Sequence, residues 1–204
     1  MSFPRTILLA LGLAALAACS VDPVPDVTYY RLPPPAALAR ADKPLSALPI
    51  EVETFRGDGI YAEQALIYAT TPQANALRAF HYQLWNDPPS RALQARLTGM
   101  LRESGITSLV TDRLPASTPA LRVHGRIVRY ERVPRDGGFA AVVVLEIRVD
   151  QDQGEPLIER IYNAEVPADD ASITATVTAF GAAIDKDFAA FYADLAALGS
   201  GHAG

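Results

Sequence analysis

Alternating apolar and polar positions mark the second half of the chain. Apolar side chains recur at every second residue from Leu121 to Ile127 and again from Ala141 to Val149, with polar residues between many of them. A period of two is typical of a strand with one buried face. Asp136-Gly137-Gly138 separates the two runs, and a third run covers Leu157 to Val166. The pattern predicts three strands joined by tight turns in an antiparallel meander.

Two other segments show a helical period. Apolar residues recur at spacings of three and four from Ile173 to Leu195, which predicts a helix from about Asp170 to Leu198. A second helix is predicted from Pro88 to Ser104. Asp87 would accept hydrogen bonds from its free N–H groups, and Gly105 would end its last turn.

Shorter strands are predicted in the first half of the chain, at Val27–Leu32, Leu48–Phe55, Ala65–Ala69 and Leu77–Leu84. The stretch from Ala74 to Phe80 also suits a helix, so both interpretations stay open there. Together the elements predict a single α+β domain. Two amphipathic helices would pack on one face of a sheet that is mainly antiparallel, or mixed if a helix crosses over between parallel strands.

The beginning of the chain has a different character. Arg5 precedes an apolar run from Ile7 to Ala18, which is too short to span a bilayer and is typical of a signal peptide. The run leads into Leu16-Ala17-Ala18-Cys19, which matches the lipobox of bacterial lipoproteins. We expect residues 1–18 to be removed and Cys19 to carry the lipid anchor. Residues 19–26 would then form a tether, residues 27–198 the folded domain and residues 199–204 a flexible tail.

Composition narrows the compartment and the partners. Cys19 is the one cysteine of the chain, so its acylation would exclude disulfides. The formal net charge is −5, which gives no general attraction to nucleic acid. Ser20 follows the lipidation site, whereas an aspartate there favours inner-membrane retention in enterobacteria. Ser20 therefore favours the periplasmic face of the outer membrane.

The sequence shows no arrangement of residues that suggests catalysis. None of the histidines has a second histidine at metal-ligand spacing, and no nucleophile motif, phosphate loop or dinucleotide fingerprint occurs. Asp185 and Asp187 fall off the apolar stripe of the last helix, so we expect them in solvent. We predict a protein without enzymatic activity, cofactor or metal. The histidines are His81, His124 and His202.

Three residues are candidates for contact with a partner. Trp85 either anchors the entry into the first helix or is exposed to a partner protein. Arg122 and Arg126 point the same way from a regular strand. They either meet an acidic partner or lipid headgroups, or belong to an ordinary solvated face paired with carboxylates. The carboxylates available for that pairing are Glu131, Glu146 and Glu159.

Several segments share the layout of a known family. They are Leu16–Cys19, Tyr29–Leu32, Leu48–Val52, Tyr82–Pro89 and the terminal helix. Together they resemble the ABC-type transport auxiliary lipoproteins, including the paraquat-inducible protein C type. The resemblance implies a non-catalytic accessory subunit of an MCE-type ABC lipid transport system that contacts an MCE-domain protein. A homo-oligomer stays open, as does an alternative function as a lipid-binding or cell-wall-synthase-activating module.

Overall fold

Nine strands and two α-helices follow one another in the described part of this computed structural model, residues 25–41, 44, 46–151 and 155–201. All the strands join one sheet. A 3₁₀ turn spans Gly59–Ala62. The helices are α1 (Pro89–Ser104) and α2 (Ile173–Gly201). The strands are β1 (Thr28–Tyr30), β2 (Ile50–Val52), β3 (Arg56–Gly57), β4 (Ala65–Ala69), β5 (Leu77–Trp85), β6 (Val110–Thr111), β7 (Leu121–Arg135), β8 (Gly138–Gln151) and β9 (Ile158–Pro167).

The three long strands form the antiparallel meander that the sequence predicts. β7 pairs with β8 along its whole length, and β8 pairs with the whole of β9. Gly137 turns the first hairpin with a φ of 83°, a conformation that is strained for any residue with a side chain. The inward positions of β7 and β8 are buried, which accounts for the period of two in the sequence. In the first half of β8 the opposite face is buried as well, where Val142 and Val144 pack with Val133 and Ala69.

The other side of β7 is shared by three short strands that run parallel to it. β2 lies beside residues 121–123, β3 beside residues 126–127 and β4 beside Arg132. The sheet therefore divides into two arms. β6 extends the first arm beside β2, while β5 and then β1 extend the second arm beside β4. These parallel pairs make the sheet mixed, which the predicted fold class allowed.

A glycine of β7 accommodates close packing between the sheet and the helix layer. The ring of Phe55 lies directly over Gly125 of β7, and a Cβ atom at that position would be 2.3 Å from the ring. Phe55 in turn contacts Phe188 of α2, with ring centroids 6.1 Å apart. The absence of a side chain at Gly125 thus lets an aromatic ring fill the space between β7 and the helix layer.

Both helices cover the same face of the sheet. α2 packs across β8 and β9 through the fully buried side chains of Phe180, Ile184, Phe188 and Phe191. Burial of each such side chain contributes about 1.5–3 kcal/mol, so this stripe is a main source of stability. No helix among the described residues has both the length and the apolar character needed to cross a membrane.

Most of the predicted elements are confirmed, with shifted ends. The stretch from Ala74 to Phe80 is not helical and leads into β5. The predicted strand Leu48–Phe55 is shorter, as β2, and is followed by the separate β3. α2 begins and ends three residues later than predicted. Its start is set by Ser172, whose hydroxyl accepts from the N–H of Ala175 at 3.0 Å.

The predicted cap of α1 is wrong. Pro88 occupies the cap position without a side-chain hydrogen bond, and Pro89 starts the helix. The carboxylate of Asp87 accepts instead from the side-chain amide of Asn86 at 2.8 Å. Two consecutive prolines set the backbone for a helix start without a capping side chain. The end was predicted correctly, because Gly105 adopts the left-handed conformation with a φ of 69°.

Candidate interaction site

Charged residues in the first half of β7 lie on the face of the sheet that points away from the helices. Arg122 pairs there with Glu51 of β2, donating through Nη1 to Oε2. Its Nη2 donates to the carbonyl of Thr118 at 3.1 Å, and Glu51 Oε1 accepts from the N–H of Leu114 at 3.0 Å. Arg122 and Glu51 therefore hold the loop between β6 and β7 against the sheet.

His124 is the next outward residue of β7 and lies between two carboxylates. Its Nδ1 is 3.0 Å from Glu53 Oε2, and its Nε2 is 3.3 Å from Asp150 Oδ2. Asp150 also accepts from Arg148 Nε at 2.8 Å. Both ring nitrogens thus already have carboxylate neighbours, and His124 links the edge of β2 to β8.

Arg126 completes the outward row. Its Nε donates to Glu146 Oε2 at 3.1 Å, and its Nη1 is 3.9 Å from Asp58. Arg122 and Arg126 therefore point the same way, but each faces a carboxylate of a neighbouring segment. The outer face has alternating charges, and a partner would have to displace or share these pairs. Contact of Arg122 and Arg126 with a partner stays a prediction.

Two further arginines of β7 have different surroundings. Arg129 donates through Nε to the buried Glu131 at 2.9 Å, and Glu131 also accepts from the hydroxyl of Tyr61. Burial, and then the Glu131 carboxylate, raise the pKa of Tyr61. The guanidinium of Arg132 lies 3.3 Å from the centre of the Phe139 ring, and its burial lowers its pKa. Neither arginine therefore adds to a basic face.

Trp85 lies on the opposite side of the sheet, in the core. It is 3 % exposed, and its ring meets Tyr130 and Phe180 edge-on with centroids 5.5 and 5.3 Å away. Tyr130 and Phe180 stack on each other at 4.6 Å. Of the two interpretations of Trp85, this position agrees with the first, in which Trp85 anchors the entry into α1. It is not brought together with the row of charged residues.

A buried ion pair that sequence reasoning missed joins the N-terminal segment to both helices. Arg96 of α1 donates through Nε and Nη2 to the two carboxylate oxygens of Asp185 on α2, each at 2.8 Å. Arg96 Nη1 also donates to the carbonyl of Pro33 at 2.7 Å, and Asp185 accepts from the N–H of Ala36 at 2.9 Å. We call Arg96, Asp185, Pro33 and Ala36 the N-terminal junction. Asp185 was expected in solvent, and that expectation is wrong.

The sequence held one signal for this junction. Arg96 stands three residues after Leu93 and four before Met100, so it lies on the buried stripe of α1. A cation at such a position needs an anionic partner. The structure adds that Gly181 makes room for this segment, because a Cβ atom there would lie 2.5 Å from Pro33 Cγ.

Asp187 is a second acidic residue whose predicted position is wrong. It is 3 % exposed, and its Oδ2 has no hydrogen-bond partner among the described residues. Burial raises the pKa of Asp187 to about 7. The apolar stripe of α2 could not reveal that Asp187 is buried, because Asp187 lies beside the stripe and faces β9.

The remaining candidate residues carry less structural information. Cys19 lies outside the described residues, so its lipidation stays a prediction. Among the residues that are described, no group of three potential ligands could hold a metal ion. The fold and this chemistry define the chain as an α+β domain with a two-armed mixed sheet and an outer face of paired charges.

Comparison with known proteins identifies the family. The model of the ABC-type transport auxiliary lipoprotein component matches residues 30–189, and the chain belongs to that family. The resemblance inferred from the sequence is thereby confirmed. A search of curated proteins gives no match.

Solved structures share the fold. One is protein XCC0632 from Xanthomonas campestris, of the DUF330 family, with 15% identity and a TM-score of 0.72 over 85% of this chain and 99% of that one. Another is described as an uncharacterized protein, with 18% identity and a TM-score of 0.66 over 84% of this chain and 99% of that one. At these identities the likeness shows a common architecture and no more.

Proposed function

We propose that the protein is a non-catalytic, lipid-anchored periplasmic subunit of an MCE-type ABC lipid transport system. The observation that carries the proposal is the family match over residues 30–189, which describes an auxiliary component of an ABC-type transporter. The lipobox at Leu16–Cys19 agrees with the lipoprotein character of that family. In this role the folded domain contacts an MCE-domain protein close to the membrane that holds its anchor.

The anchor is tested by lipid labelling. Cells that express the full-length protein are fed radioactive palmitate, and the label is followed in the wild type and in a Cys19→Ser variant. We expect the wild type to carry label and to sediment with the outer membrane, whereas Cys19→Ser carries none. Ser20→Ala is the matched control and should be labelled like the wild type. Equal labelling of Cys19→Ser would contradict the proposed anchor.

The partnership is tested by affinity purification of the tagged full-length protein from detergent-solubilised membranes. An MCE-domain protein and an ABC permease in the eluate would support the proposal. Recovery of cell-wall synthases alone would refute it and would favour the alternative function as an activator of those enzymes.

A second candidate function is direct lipid binding, because the domain has a partly apolar cavity that is also lined by Ser46 and Gln151. Its volume is about 260 Å³, slightly below the roughly 300–1,000 Å³ usual for small-molecule sites, so it suits only part of an acyl chain. Mass spectrometry of lipids extracted from the purified protein tests this function, and phospholipid at near one-to-one stoichiometry would support it. The apolar residues that line the cavity include Leu48, Ile50, Ile106, Leu121, Leu157 and Leu195.

A further inference from the structure

β9 forms a long open edge of the sheet. Within the described residues β9 pairs with β8 alone. It has ten residues, whereas the other edge strands, β1 and β6, have only three and two. Proteins usually protect long edges with charged side chains, lysine above all, with internal prolines or with bulges. β9 has no lysine, its register with β8 is unbroken, and Pro167 is its last residue. Two of its three charged side chains, Arg160 and Glu165, are held in ion pairs with Asp194 and Arg135. Near its centre, Ile161 is 64 % exposed.

The backbone of this edge is available for pairing. Ala168 N–H donates to the carbonyl of Phe139 at 2.8 Å, which sets the phase of the antiparallel ladder. Because bonding alternates along such a ladder, the even-numbered residues of β9 bond to β8. The backbone groups of Ile161, Asn163 and Glu165 therefore point to the open side.

A groove runs beside this edge, between β9 and α2. Its volume is about 420 Å³, and it is lined by residues 161–165 of β9 and by Lys186, Asp187 and Ala190 of α2. Asp187 is only 3 % exposed, and its Oδ2 has no hydrogen-bond partner among the described residues. A buried acceptor without a donor is unfavourable and is unusual in native structures. Asp187 lines the groove, but Oδ2 itself is sealed from solvent, so a donor from another molecule would reach it only after a small movement of the neighbouring side chains.

The charges around the groove favour one kind of occupant. Arg135 already pairs with Glu165 at 2.7 Å and Arg160 with Asp194 at 2.8 Å, so neither cation is left for Asp187. Lys186 also lines the groove, but it gives Oδ2 of Asp187 no hydrogen bond. A basic side chain that enters the groove would therefore meet an acceptor that lacks a donor.

A second copy of the chain is disfavoured in one register. Two β9 strands paired antiparallel about residue 162 would set Glu159 opposite Glu165 twice, and like charges in that position destabilise a sheet. Registers about residues 161 and 163 avoid this pairing, so the experiment below includes a second copy among its outcomes.

We propose that the β9 edge binds an extended segment of a partner protein, which adds a strand to the sheet and places a lysine or arginine side chain against Asp187. The inference rests on the proposed function only in naming the partner as a component of the transport system. The edge, the groove and the unpartnered carboxylate stand independently of that identity.

Site-specific photo-crosslinking tests the edge in the full-length protein in its host membranes. Benzoylphenylalanine is placed at Ile161 and, as a matched exposed apolar position, at Leu109, which is 48 % exposed. We expect position 161 to crosslink a partner segment that contains lysine or arginine, mapped by mass spectrometry, and position 109 not to do so. Adding Asn163→Pro, which removes one outward N–H without a change in charge, should lower the yield at least fivefold. Asp187→Lys should also lower it.

The outcomes separate the two proposals. One outcome is a transport component that copurifies with the protein and yet crosslinks equally from positions 161 and 109. Another is a copurifying component whose crosslinking yield Asn163→Pro does not change. Either result would overturn the docking at β9 and leave the proposed function standing. Crosslinking of position 161 to a second copy would also overturn it. A basic segment captured at 161, sensitive to Asn163→Pro, supports the edge even if no transporter copurifies. Circular dichroism of each variant checks that the fold is retained.

Discussion

Asp187→Asn should remove a pH-dependent loss of stability from the domain. The substitution keeps the size and shape of the side chain and takes away its ability to ionise. In the wild type the carboxyl group is buried between α2 and β9 without a hydrogen-bond donor for Oδ2. Ionisation of such a group is costly, because the charge is removed from water and no partner compensates it.

The sign and size follow from the raised pKa. Burial raises the pKa of Asp187 from 3.8 to about 7, so between these values the folded state binds more protons than the unfolded state. Stability then falls as pH rises from about 4 to 7, and the full loss is present above pH 7. The difference of about 3 between the pKa of Asp187 in the folded and the unfolded state corresponds to about 4 kcal/mol of folding free energy. Relaxation and water entry around the charge reduce this to roughly 1–3 kcal/mol.

The assay is urea unfolding of the wild type and of Asp187→Asn at pH 4 and at pH 8. The free energy of unfolding of each protein at pH 8 is compared with its own value at pH 4, so the effect of the substitution on packing cancels. Glu165, whose pKa is lowered mainly by its hydrogen bond with Arg135, titrates in both chains and cancels as well. We expect the change from pH 4 to pH 8 to be 1–3 kcal/mol more favourable in the variant, about 2–12 °C in Tm.

Asp136→Asn, which removes the same charge from an exposed turn, is the matched control and should follow the wild type. If the wild type and Asp187→Asn had the same pH dependence, the assigned burial of an unpartnered carboxyl would be wrong.

Three other substitutions test the packing. Arg96→Met should lower the free energy of unfolding in urea by about 3–5 kcal/mol, because it leaves the carboxylate of Asp185 buried without its partner. Adding Asp185→Leu to that variant should recover part of this loss, and no recovery would argue against the ion pair. Gly125→Ala should cost about 1–3 kcal/mol, since its Cβ would overlap the ring of Phe55, and an unchanged Tm would contradict that contact. Gly137→Ala should cost about 1 kcal/mol through its positive φ, measured by thermal unfolding, whereas a stabilised variant would contradict the turn geometry.

The sequence predicted well those elements whose burial repeats along the chain. β7, β8 and β9 have one buried face over many residues, and α2 has a continuous apolar stripe, so a period of two or of 3.6 identifies them. The short strands β1, β2 and β4 were located, whereas β3 and β6 were not, and the parallel pairing of β2, β3 and β4 with β7 was not predicted. Two or three residues carry too little pattern to specify a neighbour, and the pairing depends on contacts far apart in the chain.

The candidate site was predicted less completely, for a different physical reason. A sequence shows which residues are charged and gives no information on which carboxylate faces each cation. Arg122 and Arg126 were rightly placed on one face, yet their partners come from β2 and β8. Asp185 and Asp187 lie beside the apolar stripe of α2, and whether such a flank is covered depends on the segments packed against it. Ala36, which bonds Asp185, and β9, which lies beside Asp187, are distant from them in sequence.

The N-terminal junction has a mechanical consequence. A pull on residue 25 would first load β1, whose three residues pair in parallel with the end of β5. Beyond it, the chain is held at Pro33 by Arg96 and at Ala36 by Asp185, so the load passes into both helices at once. The force would be shared between α1 and α2, and β5 would not be peeled from the sheet one bond at a time. A domain tethered at this end could therefore bear tension while its outer face and the β9 edge keep their shape.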